Sequence, residues 1–165
     1  MKEIKLTQGK VALVDDEDFE ELNKHKWHTI KCKGIFYAFR QEYEKSKHKR
    51  RVLMHREILP IKTIGNVIDH IDLNGLNNQK TNLRECSISQ NNMNKSIYKN
   101  KKTKYKGVHV GYKSKKGQSF NACISINGRN LHLGVFLDEI EAAKAYDKAA
   151  LEHYGKFSNI NFPKQ

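Results

Sequence analysis

Apolar residues along this chain fall into short runs of two kinds, alternating and helically spaced, separated by polar segments. Lys10–Val14 (KVALV) reads as a strand. Asp15–Asp18 then opens a short helix, with acids where the helix dipole favours them and Phe19 and Leu22 on one face. Trp27 falls in a strand over Lys26–Lys31, and Lys33-Gly34 turns the chain into a second strand, Gly34–Arg40. Lys45–Arg51 (KSKHKRR) reads as a basic turn, and Leu53–Leu59 as a short helix ending at Pro60. From Val67 to Asn94 the pattern is strand, loop, strand, helix. Val67, Ile68 and Ile71 suit a strand, and Asp72, Asn74, Gly75, Asn77 and Asn78 are loop formers. A second strand runs to Cys86, and Ser87 or Ser89 can cap a helix carrying Gln90, Asn91 and Asn94.

The lysine-dense stretch that follows has no apolar periodicity and reads as a linker. Beyond it, Val108, Val110 and Tyr112 alternate with polar or small residues, as do Ala122, Ile124 and Ile126, then Leu131, Leu133 and Val135. Asn127-Gly128 is a hairpin signal, so three antiparallel strands are expected. Asp138 starts a helix, with Glu141 three residues on in a capping pattern. Ala142, Ala143, Tyr146, Ala149, Ala150 and His153 sit at helical spacing, and Gly155 ends the helix. The expected class is α+β in four parts: an αβ support over 1–60, a hairpin-helix unit over 61–95, a basic linker over 96–104, and a three-stranded sheet packed on one helix over 105–162.

Charge sharpens this picture. The 165 residues carry a formal net charge of +13 with a pI near 9.6, which points to a polyanionic partner. No apolar run approaches the ~18–20 residues needed to span a bilayer. The start, MKEIKLTQGK, lacks the apolar stretch of a signal peptide, so a soluble cytoplasmic protein is expected, and the lysine- and asparagine-rich sequence fits a bacterial or phage-infected cell. Cys32, Cys86 and Cys123 form no paired spacing, so neither a disulfide framework nor a structural zinc is indicated.

The candidate chemistry lies between the two predicted hairpin strands. Asp69 and His70 are adjacent, and a hairpin folded against the following helix would bring them near Asn91. A histidine of near-neutral pKa can accept a proton from water. A carboxylate and an amide oxygen are hard ligands suited to Mg²⁺ or Mn²⁺. The ordered set DHIDLNGLNN…NLR…SQNNMN resembles the signature of the HNH nucleases, in particular the phage and intron homing endonucleases. The resemblance implies a ββα-metal core. It implies His70 as general base, Asp69 and Asn91 as ligands of one divalent ion, and Asn82 either orienting the imidazole or bracing the two strands. Asn91 stands where the family name has its last histidine. Asn92 is the neighbouring alternative, about 100° around the helix, and spacing favours Asn91. The catalytic set is complete without His55, for which a packing or hydrogen-bonding role is expected.

The segments YKGVHVGYK, LHLGVF, EAAKAYD and NINF resemble the ethylene-response-factor type DNA-binding domain of plants over residues 105–162. That implies a sheet face that docks on duplex DNA. The positions matching the plant arginines and tryptophans include Lys106, His109, Gly111, Cys123, Ser125, Asn130 and His132, so arginine–guanine readout is largely missing. The expected DNA-binding residues are Lys101, Lys102, Lys104, Lys106, His109, Lys113, Lys115, Lys116, Arg129, Asn130 and His132. Together these imply a metal-dependent endonuclease that nicks duplex DNA as a monomer or weak homodimer. Two competing readings are a DNA-binding regulator with a vestigial HNH motif and an RNA-binding protein. The second is disfavoured because the sheet lacks paired aromatics for base stacking.

Overall fold

The structure is a computed structural model that describes residues 1–43, 49–95, 102–115, 117–126 and 128–163. It is mixed α+β, with small antiparallel sheets and four α-helices among the described residues. The chain divides into two compact units, Met1–Ile88 and Ser89–Gln165.

In the first unit, β1 (Lys2–Lys5) pairs with β2 (Val11–Val14), and α1 (Asp16–Leu22) follows. β3 (His28–Cys32), β4 (Ile35–Tyr43) and β5 (Lys49–Leu53) form a three-stranded meander. The basic stretch expected as a turn is therefore a strand from Lys49 onward, and its residues 45–48 lie outside the described residues. β1 has no clear sequence signal: only Ile4 of KEIK is buried. α2 (Met54–Ile58) leads to the hairpin of β6 (Asn66–His70) and β7 (Leu83–Ser87).

Ile4, Leu6, Ala12, Val14, Leu22, Trp27, Ala38 and Met54 form the core of this unit. Trp27 is 1% exposed, and its indole N–H donates to the Leu22 carbonyl at 2.7 Å. That bond satisfies the one polar atom of the largest core side chain. Trp27 precedes β3 rather than lying within it, bridging to Leu6.

The second unit contains most of α3 (Ile88–Asn94), then β8 (Val108–Ser114), β9 (Gly117–Ile126), β10 (Arg129–Phe136) and α4 (Glu139–Tyr154). The strand order is β10-β9-β8. Val108, Ala122 and Ile124 on the sheet pack against Ala142, Ala143, Tyr146, Ala149 and Ala150 of α4. Four alanines on that helix face let backbone and sheet approach closely. His153, placed on this face by its spacing, is exposed, and Tyr154 packs there instead.

Asp138 caps α4 by accepting from the Ile140 amide at 2.7 Å. Glu141 pairs with Lys144 at 2.8 Å, rather than returning to the cap as the capping pattern suggested. Gly155 ends the helix at φ 51°. Irregularities at Val110/Lys113 and His132/Gly134 break the expected alternation. Val135 lies opposite Asn121, off the helix side, and Tyr112 is 83% exposed. The Asn127 turn position lies outside the described residues.

Candidate nuclease site and nucleic-acid interface

β6 carries two of the sequence-predicted groups into the interior. Asp69 and His70 at its end are each 5% exposed, and Ile68 before them is 7% exposed. The antiparallel register sets Asp69 opposite Arg84 and His70 opposite Leu83. Arg84 donates from Nε at 3.0 Å and from a terminal nitrogen at 2.8 Å, both to Asp69 Oδ2. A buried carboxylate needs such a partner. Arg84 stood in the recognised stretch, but its role follows only from the strand register.

His70 lies among three side chains brought in by three different segments. Its Nε2 is 3.2 Å from the Asn78 side-chain oxygen. The His55 ring, from α2, stands edge-on at a centroid distance of 5.0 Å, and the Tyr37 ring, from β4, lies 5.8 Å from each histidine. Burial pushes the His70 imidazole below its ordinary pKa, while Asn78, Asp72 and Asp69 pull the other way. Burial, with His70 and Arg56 adding to it, pushes His55 down to about 3. His55 is therefore a buried neutral ring, and its Nδ1 has no hydrogen-bond partner.

The loop between β6 and β7 is built from its own side chains. Asp72 Oδ1 accepts from the Asn74 amide at 2.8 Å, and Asn74 Oδ1 accepts from the Leu76 amide at 3.1 Å. These turns use the short polar side chains that made the segment read as a loop. Asn82 Oδ1 accepts from the Asp72 amide at 3.0 Å. Its Nδ2 donates to Asp72 Oδ1 at 2.9 Å and to the Asn77 carbonyl at 2.8 Å. The Asn82 side chain thus braces the loop.

The loop is also sewn to β2. Leu13 donates to the Leu76 carbonyl, and Asn78 donates to the Leu13 carbonyl, both at 2.8 Å. Asp15 accepts from the Lys80 amide at 2.7 Å. On β7, Glu85 accepts from the amides of Lys62 and Thr63 and from Asn66 Nδ2, which together hold its carboxyl down at about 2.

Asn91 and Asn92 lie on α3 in the second unit, Asn91 half-buried and Asn92 exposed with its side-chain oxygen accepting from Lys95. The end of α3 is satisfied within its own unit. Lys106 Nζ donates to the Met93 carbonyl, and Asn159 Nδ2 donates to the Asn94 carbonyl at 2.9 Å.

On the sheet of the second unit, His109, Asn121 and Val135 form one cross-strand row. Cys123 opposes His132, and Ser125 opposes Asn130. Ala122 and Ile124, between them on β9, are buried under α4, so these rows face away from the helix. His109, Asn130 and His132 are exposed. Lys102, Lys104, Lys113, Lys115 and Arg129 are exposed too. Lys113 opposes Gln118 and Arg129 opposes Ile126, at the ends of the sheet. Lys106 is half-buried, and its ammonium is engaged with Met93. Lys101 and Lys116 lie outside the described residues. Ser89–Gln165 holds 14 lysines or arginines against 5 acids, so most of the net positive charge sits there.

Among the described residues, no three His, Cys, Asp or Glu side chains cluster as a metal site. The donors present suit a hard ion instead. Asp69 supplies a carboxylate, the ligand type that such an ion takes. Magnesium in particular keeps several waters and needs only one or two carboxylates with substrate phosphate. Burial raises the Cys86 thiol to about 11, so it is a protonated packing group.

The chain is similar to an uncharacterized HNH endonuclease of Acanthamoeba polyphaga mimivirus, 28% identical over 159 residues, which covers 93% of this chain and 76% of that one. A shorter similarity, 42% over 45 residues, is to an AP2-like ethylene-responsive transcription factor of Arabidopsis thaliana. It covers 27% of this chain and 13% of the plant protein. No protein-family model and no solved structure matches the chain. No helix among the described residues is long and apolar enough to cross a membrane.

Proposed function

We propose that this protein is an HNH-type endonuclease that hydrolyses phosphodiester bonds in duplex DNA. The observation that carries the reading is the end of β6, where a buried, neutral-leaning imidazole, His70, sits beside a buried carboxylate, Asp69. The viral relative is named as an HNH endonuclease, and its similarity runs through this hairpin.

In this reading β6 and β7 supply the two strands of the ββα-metal element that the sequence resemblance implies. His70 accepts a proton from the attacking water, for which its lowered pKa keeps it unprotonated at neutral pH. Asp69 is assigned as the carboxylate ligand of one Mg²⁺ or Mn²⁺. Asn91 is assigned as the amide ligand on its spacing in the sequence alone. When bound, such an ion supplies charge stabilisation to the scissile phosphate and the leaving 3′ oxygen. Arg84 keeps Asp69 ionised and fixed in direction. Asn82 holds the loop that flanks the imidazole. The basic second unit, with His109, Asn130 and His132 outward and Lys102, Lys104, Lys113, Lys115 and Arg129 exposed, binds the duplex. The plant relative is named as a transcription factor, which fits a nucleic-acid partner. One chain carries one His70, so a monomer nicks one strand.

A second reading, a non-catalytic DNA-binding regulator, draws on the Asp69–Arg84 ion pair, which would then be purely structural. Supercoiled-plasmid cleavage separates the two. Metal-dependent open circles are expected from the wild type with Mg²⁺ or Mn²⁺, and none with EDTA. His70→Ala is expected to lower the rate by about 10²–10⁴-fold while duplex binding is retained. Binding by the wild type without cleavage under any metal would establish the regulator.

A further inference from the structure

We propose that Asn78 is the positioning residue that fixes the tautomer of His70. It holds the ring proton on Nε2, which leaves Nδ1 as the acceptor nitrogen of the ring. The assignment of the tautomer stands on geometry, and its catalytic use rests on the nuclease reading above.

Asn78 is fully buried. Its backbone amide donates to the Leu13 carbonyl at 2.8 Å, and its side-chain Nδ2 donates to the Leu76 carbonyl at 3.2 Å. The second bond settles which way the amide faces. Turned over, the side-chain oxygen would oppose the Leu76 carbonyl oxygen at that distance, two acceptors with no proton between them. Oδ1 therefore faces His70, 3.2 Å from Nε2. An amide oxygen carries no hydrogen, so Nε2 must supply it. A neutral imidazole has one N–H, and placing it on Nε2 makes Nδ1 the acceptor.

The support of Asn78 reaches back to the start of the chain. β2 pins the loop backbone at Leu76 and at Asn78 itself through Leu13, and Asn82 ties the same loop to Asp72 and Asn77. The edge-on His55 ring and the Tyr37 ring pack on the imidazole and restrict its rotation. A strand of the N-terminal layer thus sets the loop, the loop sets Asn78, and Asn78 sets the proton on His70. Asn82, the residue singled out by spacing, acts one step further away, through the loop.

The test is a long-range ¹H–¹⁵N correlation spectrum of the histidine rings in the ¹⁵N-labelled, metal-free full chain at pH about 8, where imidazoles are neutral. His70→Ala identifies the His70 signals by their loss. The wild type is expected to show a protonated Nε2 and an unprotonated Nδ1. Asn78→Ala removes the acceptor and should shift His70 toward a mixture, changing the tautomer ratio by about tenfold. Asn78→Asp keeps an acceptor oxygen at Nε2 and should keep the proton there, while its second oxygen, against the Leu76 carbonyl, lowers stability.

In cleavage assays Asn78→Ala should lower kcat about 10- to 100-fold with KM held, and Asn78→Asp should recover most of it. A wild-type His70 protonated on Nδ1 overturns the inference, and so does a folded Asn78→Ala protein with an unchanged pattern. Should Asn78→Ala not fold, the wild-type and Asn78→Asp spectra still decide the tautomer. Absence of cleavage by the wild type would instead count against the nuclease reading, because the ring spectra need no activity.

Discussion

His55 shows what a single buried side chain costs this protein. Its ring packs on His70 and Tyr37, its Nδ1 lacks a partner, and burial holds its pKa at about 3. In the unfolded chain a histidine titrates near 6.5. Between those values the unfolded state binds the proton and the folded state does not, so stability falls as pH falls. The loss begins below about pH 6.5 and amounts to about 2 kcal/mol from His55 by pH 5. Denaturant unfolding between pH 7 and 5 should show this slope. His55→Phe, which keeps a ring and removes the titrating group, should flatten it by about that amount, and an unchanged slope would mean His55 is protonated within the fold. The spacing that singled out Asp69, His70 and Asn82 could not show this. His55 meets His70 only because α2 and β6 pack together, and their sequence separation hides the contact. Asn78 was equally hidden. Four asparagines crowd the loop from Asp72 to Thr81 and its exit at Asn82, and only the bond from Asn78 to Leu13 selects which one turns inward.

At the scale of elements, the sheet and helix of the second unit approach closely because small residues line the contact. Gly107, just before β8, has φ 76°, and a Cβ there would lie 1.8 Å from Tyr146 Cδ2. Its carbonyl also accepts from the Cys123 amide at 2.8 Å, so the backbone cannot swing away without losing a bond to β9. Gly107→Ala should therefore destabilise this unit by about 3 kcal/mol or more, through overpacking and left-handed strain together. A thermal melt and the near-ultraviolet signal of Tyr146 would check it, and a Tm within 2 °C of wild type (roughly half a kcal/mol) would contradict the packing described. The alternation in β8–β10 and the alanine spacing in α4 were legible because each element has one buried face. The bulges were not, since an extra residue leaves no compositional mark and simply moves Tyr112 and Val135 out of phase. Asp147 was also missed. It is buried on α4 and accepts from the amides of Asn161 and Phe162, so the NINF segment is tied to the helix by a carboxylate that the sequence places among lysine and alanine.

Over the whole molecule, charge is distributed unevenly between the units, and the imbalance makes a measurable claim. The first unit holds 17 lysines or arginines against 13 acids, the second 14 against 5. Much of the first unit's charge is also paired internally, as in Arg40 with Glu42 and Glu57, Lys80 with Glu17 and Asp18, and Arg84 with Asp69. Phosphate binding should then come mainly from the second unit, and it should be driven by counterion release. If about six phosphates are neutralised, affinity for duplex DNA should fall about a thousandfold between roughly 50 and 200 mM salt. Each phosphate contact removed should reduce the slope of log Kobs against log salt by about 0.9. Replacing Lys104, Lys113 and Lys115 together with alanine should therefore flatten the slope by about 2–3, because their side chains are exposed. The matching replacement of Lys2, Lys24 and Lys144, which sit in surface ion pairs, should leave it nearly unchanged. Fluorescence anisotropy on one short duplex at several salt concentrations measures both. Equal flattening by the two sets would mean that net charge alone drives binding. Flattening by neither would move the DNA contact off these lysines.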